Sequence, residues 1–312
     1  MLIDGQWSED RLRTLAADKD GRFVRQDSSF RNWITPRGDG GPTGKGGFPA
    51  EPGRYQLLVS LSCPWASRTL IARKLKGLDE VVSVAIAEPA MRAEGWHFAD
   101  GTDTSFNHLH EAYTRADPHY TGRVTVPVLW DTSRETIVNN ESADILRIFN
   151  SGFGNLADPT IDLYPQDLSD EIDALNDRMY LRFNNGVYRA GFAKTQGAYE
   201  EAFTDVFGML AELEDLLADG GPLLFGDRIT ETDIRLFVTL VRFDAAYHGL
   251  FKCNLRRIVD YPALSAFLSR MLDVPGIRDT VSIDHIKRGY YSIPFLNPAG
   301  IVPLGPDLPY FR

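Results

Sequence analysis

The residue best placed to do chemistry is Cys63, in the segment SLSCPWASRTL that runs from Ser60 to Leu70. Ala66 stands where a Cys-x-x-Cys redox motif would carry its second thiol. A dithiol closes its own disulfide, whereas a lone thiolate that attacks sulfur holds a mixed disulfide until an external thiol resolves it. The pattern therefore predicts a monothiol cycle. The competing reading of Cys63, a small buried residue at a strand end, is disfavoured by its neighbours. Ser62 is a candidate N-cap and Pro64 suits a first helical turn, which sets the sulfur among free N–H groups at the positive end of a helix dipole. Cys253, in LFKCNLRR, reads as inert packing, and two cysteines so far apart exclude a disulfide framework.

Two further spots carry chemical potential. Pro127 interrupts the apolar run TVPVL, so it belongs at the start of a strand and is a candidate cis residue, leaving the N–H and C=O of Val126 to an extended peptide ligand. In NESAD, Glu141 and Ser142 sit at a turn feeding a helix N-terminus, which suits either a bound carboxylate or a simple capping pair. Other motifs fall short. GPTGKGG lacks a phosphate loop's first glycine, since Asp39 occupies that position, and Gly46 follows Lys45 where Ser or Thr is required. His108, His110 and His119 invite a metal reading, but an i, i+2 pair cannot share a helical face and no fourth ligand is evident, so no metal site is expected.

The elements that must position these residues follow from pattern. RYQLLVS reads as a buried strand, PWASRTLIARKLKG as a helix closed by Gly77, and VVSVAIA as a second strand, which predicts a parallel crossover. RVTVPVLWD and TIVNNESADILRIF add two strands and a helix from Ser142, completing a β-α-β-β-α order compatible with a thioredoxin-like domain over 53–155. Residues 88–122 form an insertion too long for a routine connection, of the kind that shapes a site or an interface. Residues 1–52, rich in glycine and proline, read as an ordered but irregular arm. Beyond the segment GFGNLADPTIDLYP, helical periodicity takes over from 165 to 285: Ile172, Leu175, Met179 and Phe183 share one face, as do Tyr199, Phe203, Val206, Leu210, Leu213 and Leu217. Thr230 and Asp233 stand at capping-box spacing. The tail 286–312, dense in proline and aromatics, should wrap a surface without forming an element.

Composition narrows the class. The 312 residues carry a net charge of -10, which opposes nucleic-acid and anionic-membrane partners, and no run is apolar enough for a signal peptide or a membrane span. A cytoplasmic protein with an α/β domain followed by an all-α domain is expected.

SCPWA, GW, RVTVPVLWD and NNESADI, in that order and followed by a helical domain, resemble the Xi class of glutathione transferases, the glutathionyl-hydroquinone reductases. The resemblance extends over nearly the whole chain, through the FRNWI and GPTGKGGF arm, NNGVYRAGF, TLVRFD and the final NPAGI. It implies the glutathione transferase fold, an N-terminal thioredoxin-like domain followed by a C-terminal helical bundle. The implied activity is reductive removal of glutathione from glutathionyl-hydroquinones, with glutathione as co-substrate and no metal, flavin or nicotinamide. Carried over, Cys63 attacks the thioether sulfur. Trp96, Val126, Glu141 and Ser142 hold the tripeptide, and Arg123 pairs with its glycine carboxylate. Tyr188 and Tyr290 line the hydroquinone pocket, where a phenol can protonate the leaving ring carbon, with Tyr291 competing for the second role. The tail is one residue shorter than the family pattern between Tyr290 and Asn297, which bears on ring preference. The resemblance also implies a homodimer. The rival readings are an Omega-like thioltransferase or dehydroascorbate reductase acting through the same cysteine, and a non-catalytic thioredoxin-like binding module.

Overall fold

Asp4 and Gly5 take the left-handed conformation, with φ of 47° and 72°. They close a two-residue turn that joins Leu2–Ile3 (β1) to Gln6–Trp7 (β2). Trp33–Thr35 (β3) and Gly47–Pro49 (β4) form a second small pair, parallel, with Ile34 opposite Phe48. The described residues of the arm therefore carry four short strands where its glycines and prolines predicted none. These features belong to a computed structural model that describes residues 1–9, 17–42 and 46–311. Lys45, central to the phosphate-loop question, lies outside the described residues.

The described residues fall into two units, one of 1–9 and 26–161, the other of 17–25 and 162–311. The arm is thus divided, its residues 17–25 belonging with the helical unit.

In the first unit, Tyr55–Val59 (β5) is buried at every position, as an apolar run in the middle of a sheet must be. Pro64–Leu75 (α1) crosses over to Val82–Ile86 (β6), which lies parallel to β5. Val128–Asp131 (β7) pairs antiparallel with the other side of β5, and Thr136–Asn139 (β8) follows it, giving the order β6-β5-β7-β8. Asn32 N–H donates to Val138 O and Asn140 N–H to Phe30 O, both at 3.0 Å, so the arm covers the outer edge of β8. The insertion holds a helix of its own, Leu109–Ala116 (α2), and β8 leads through Asn140 and Glu141 into Ser142–Arg147 (α3).

The second unit is helical: Ser169–Met179 (α4), Gly186–Gly191 (α5), Gln196–Gly220 (α6), Glu231–Arg242 (α7), Pro262–Asp273 (α8) and Ile283–Tyr291 (α9). Ile172, Leu175, Met179 and Phe183 are buried together with Val206, Leu210, Leu213 and Leu217, whereas Tyr199 and Phe203 are half-buried. Helix α9 runs past residue 286, so the expected tail boundary falls inside an element. Its Ile286 and Tyr290 bury one face, a period-3.6 signal masked by the aromatic and proline-rich residues that follow.

Helix α7 is buried along its whole length and depends on its cap. Asp233 Oδ2 accepts from Thr230 N–H and Oγ1–H, each at 2.8 Å, and Oδ1 accepts from Leu224 N–H at 2.9 Å. Burial pushes the Asp233 carboxyl up from 3.8 to about 6. Between those values the folded chain holds a proton that the unfolded chain has released, so this group's contribution to stability declines as pH rises through that interval. Asp233→Ala strands the Leu224 and Thr230 donors in the interior. The expected loss is about 3 kcal/mol, measured as a lower midpoint in urea with an unchanged slope; a variant as stable as the parent would show that these donors find other partners.

Candidate functional site

Helix α1 begins where β5 has just ended, and Cys63 itself is the N-cap, with extended backbone at φ −84° and ψ 121° and Pro64 following in the first turn. The expectation that Ser62 caps the helix is corrected by one residue. Ser62 precedes the cap, and its Oγ lies 3.0 Å from that of Ser60. The Cys63 N–H donates to Ser60 O at 3.1 Å, and its carbonyl accepts from Ser67 N–H and Oγ–H at 3.0 and 3.1 Å. This bonding fixes the backbone on both sides of the sulfur. Cys63 is half-buried, and its Sγ lies 3.7 Å from Val126 O, close enough for a weak thiol donation. The Val126–Pro127 bond is cis and β7 starts at the next residue, as Pro127's position in the run predicted.

Glu141 and Ser142 lie at the start of α3. Glu141 is the N-cap, its Oε1 accepting from Ala143 N–H at 3.1 Å and its Oε2 from Ser28 Oγ–H at 3.0 Å. The capping role therefore exists, and an arm residue that the sequence reading passed over, Ser28, holds the second oxygen. Ser28 also lines a small recess with Arg123, Tyr120 and Asn140. Trp96 is half-buried in the insertion, and its carbonyl accepts from Leu109 N–H at 3.0 Å, which ties the indole's backbone to the start of α2.

The tyrosines belong to the second unit. Tyr188 lies on α5 and Tyr290 on α9, and their hydroxyl oxygens are 2.6 Å apart. Tyr290, not Tyr291, makes this contact. A third phenol, Tyr247, is 2.7 Å from the Tyr290 hydroxyl, so Tyr290 links the other two. Sequence reasoning missed Tyr247: TLVRFD counted toward the family resemblance with no role given to the tyrosine beyond it, and the segment otherwise reads as a buried helix. Burial drives the Tyr247 and Tyr290 hydroxyls well above the usual phenol range, so both remain protonated donors. Arg25 lies over the Tyr188 ring, 4.9 Å from its centroid, and donates to Asn185 Oδ1 at 2.8 Å.

The two cysteines contrast. Cys253 is fully buried and burial pushes its thiol up to about 12. The histidines behave differently from expectation. His108 caps α2 from outside the helix while His110 lies within it, so the i, i+2 pair does meet, the rings stacked at 5.4 Å. His119 stands apart, 2.7 Å from Asp4.

Two family models match, the glutathione S-transferase N-terminal domain over 62–151 and the C-terminal domain over 196–270. Glutathionyl-hydroquinone reductase YqjG of Escherichia coli (strain K12) is 50% identical over 98% of this chain and 94% of its own. The chain belongs to the Xi-class glutathione transferases, the glutathionyl-hydroquinone reductase family. The glutathione-bound structure of that Escherichia coli protein superposes with a TM-score of 0.90 at 48% identity, covering 100% of this chain and 97% of the other. Glutathionyl-hydroquinone reductase PcpF of Sphingobium chlorophenolicum is 48% identical over 99% and 97% of the two chains. The glutathione-S-transferase Xi from Phanerochaete chrysosporium superposes with a TM-score of 0.88 at 46% identity, over 95% and 96%. Among the described residues of this Xi-class chain, no helix is long and apolar enough to cross a membrane.

The different settings of the two thiols give a direct test. Folded protein treated with iodoacetamide at neutral pH should be carboxamidomethylated at Cys63 and not at Cys253, read by peptide mass spectrometry; modification of Cys253 at a similar rate would contradict its burial.

Proposed function

We propose that this chain is a glutathione-dependent reductase of glutathionyl-hydroquinones. The observation that carries the reading is a lone cysteine at a helix N-cap, with no second thiol in its motif, in a chain that also buries three phenols linked through their hydroxyls. Glutathione is the co-substrate. Glu141 and Ser142 take its γ-glutamyl end, Val126 its cysteinyl backbone, Arg123 its glycine carboxylate, and Trp96 lies along it.

The Cys63 thiolate attacks the thioether sulfur. A sulfur–sulfur bond forms, the sulfur–aryl bond breaks, and its electron pair passes to the ring carbon. That carbon takes a proton from the phenol of Tyr188, which recovers one through Tyr290 and Tyr247. The products of this half are free hydroquinone and Cys63 in mixed disulfide with glutathione. A second glutathione thiolate then displaces Cys63 and leaves as glutathione disulfide. The hydroquinone carbon is reduced and two glutathione sulfurs are oxidised, so the steps balance on thiols and one phenol, with no metal, flavin or nicotinamide. The helix N-terminus favours the thiolate both as attacking group and as leaving group.

A cytoplasmic homodimer belongs to the same reading. Its support is family membership and the tail, where Phe295, Ile301, Val302 and Leu304 remain exposed. Sedimentation should give twice the chain mass, and a monomer at working concentration would contradict it.

The chemistry separates by substrate. Cys63→Ala should abolish turnover. Tyr188→Phe should slow release of hydroquinone from a glutathionyl-hydroquinone by about 100-fold or more, yet leave reduction of a simple glutathione mixed disulfide nearly unchanged, because no carbon is protonated there. Tyr247→Phe should fall between parent and Tyr188→Phe. Full activity of Cys63→Ala would end the proposal, and equal parental turnover of disulfide and thioether would favour the Omega-like thioltransferase.

A further inference from the structure

We propose that Glu94, His108 and His110 form a binding site for a borderline-soft divalent cation, Zn²⁺ above all, that staples the insertion beside Trp96. This goes beyond the reductase reaction and does not depend on it. Each residue offers one ligand atom, and the three atoms lie within 4.8 Å of one another. Zinc bonded at about 2.0–2.1 Å holds tetrahedral ligands roughly 3.4 Å apart. Small side-chain rotations therefore close this set around an ion, with water in the fourth position. Glu94 Oε2 and His110 Nε2 already lie 3.0 Å apart.

The surroundings favour ligation over a simple surface hydrogen bond. Nδ1 of His108 faces Glu111 Oε1 at 3.5 Å. The Glu111 carboxylate also accepts the backbone N–H groups of His108 and Asn107, both at 3.2 Å, which fixes the His108 backbone at the start of α2. On its own side, His110 is stacked by Trp7 at 5.1 Å, which holds the ring in place. Two imidazoles and one carboxylate suit Zn²⁺, Ni²⁺ or Cu²⁺, and not Mg²⁺ or Ca²⁺, which take oxygen ligands.

The consequence lies in the chain between the ligands. Glu94 and His108 flank a loop closed by the His97–His108 bridge and by the Leu109 N–H bond to Trp96 O. An ion joining its ends would hold the backbone of Trp96 against the start of α2.

The test titrates Zn²⁺ into the full-length Cys63→Ser protein against a chromogenic chelator, the substitution removing a thiolate that would itself bind zinc. One Zn²⁺ per chain is expected, undisplaced by excess Mg²⁺. Glu94→Gln and His110→Ala, made in that background, should each weaken it by at least about tenfold. Glu94 is exposed, so its variant tests the site without threatening the fold. Absence of stoichiometric Zn²⁺ binding would overturn the proposal, as would parental affinity in Glu94→Gln.

Discussion

The arrangement depends on one constraint: a sulfur held at the first position of a buried helix, where the chain has not yet become helical. An N-cap residue keeps extended backbone while its carbonyl already accepts the first helical bond, and the carbonyl of Cys63 does so from Ser67. That position needs a strand that ends a short turn before it and a helix that begins immediately after it. The rest of the first unit supplies both. Strand β5 is buried on every side, α1 crosses to the parallel β6, and β7 lies antiparallel along the opposite edge, where the carbonyl of Val126 comes within reach of Sγ. The arm covers β8, so the sheet has no open edge on that side.

The helical unit works by a different principle. It removes three phenols from water and lets them satisfy one another, with Tyr290 bridging Tyr188 and Tyr247. Buried hydroxyls that lack water need one another as partners, and the loss of solvent keeps those of Tyr247 and Tyr290 protonated.

What the sequence revealed was local. Strands β5 and β6 and helix α1 were legible from apolar runs and Gly77, the capping box at Thr230 from four residues, and Cys253 was read as inert packing, which its burial bears out. The cap at Cys63 was misplaced by one residue, because serine is the better N-cap by type and only the backbone decides between adjacent candidates. The four strands of the arm escaped because each is only two or three residues long, too short to show a period, and β3 finds its partner β4 only across the glycine- and proline-rich stretch between them. Likewise, nothing near Tyr247 signals its hydroxyl's partner, which lies 43 positions away on another helix. His108 and His110 were dismissed on helical geometry that applies only if both are helical, and one of them is not.

The central claim is that Cys63 alone carries glutathione off the aromatic ring. The direct measurement mixes enzyme with a stoichiometric amount of glutathionyl-hydroquinone, without free glutathione, and follows hydroquinone by chromatography and the protein by intact mass. One hydroquinone released per chain, with a single glutathione adduct at Cys63 that added glutathione discharges, is the predicted result. Hydroquinone release with no adduct on the protein would contradict it.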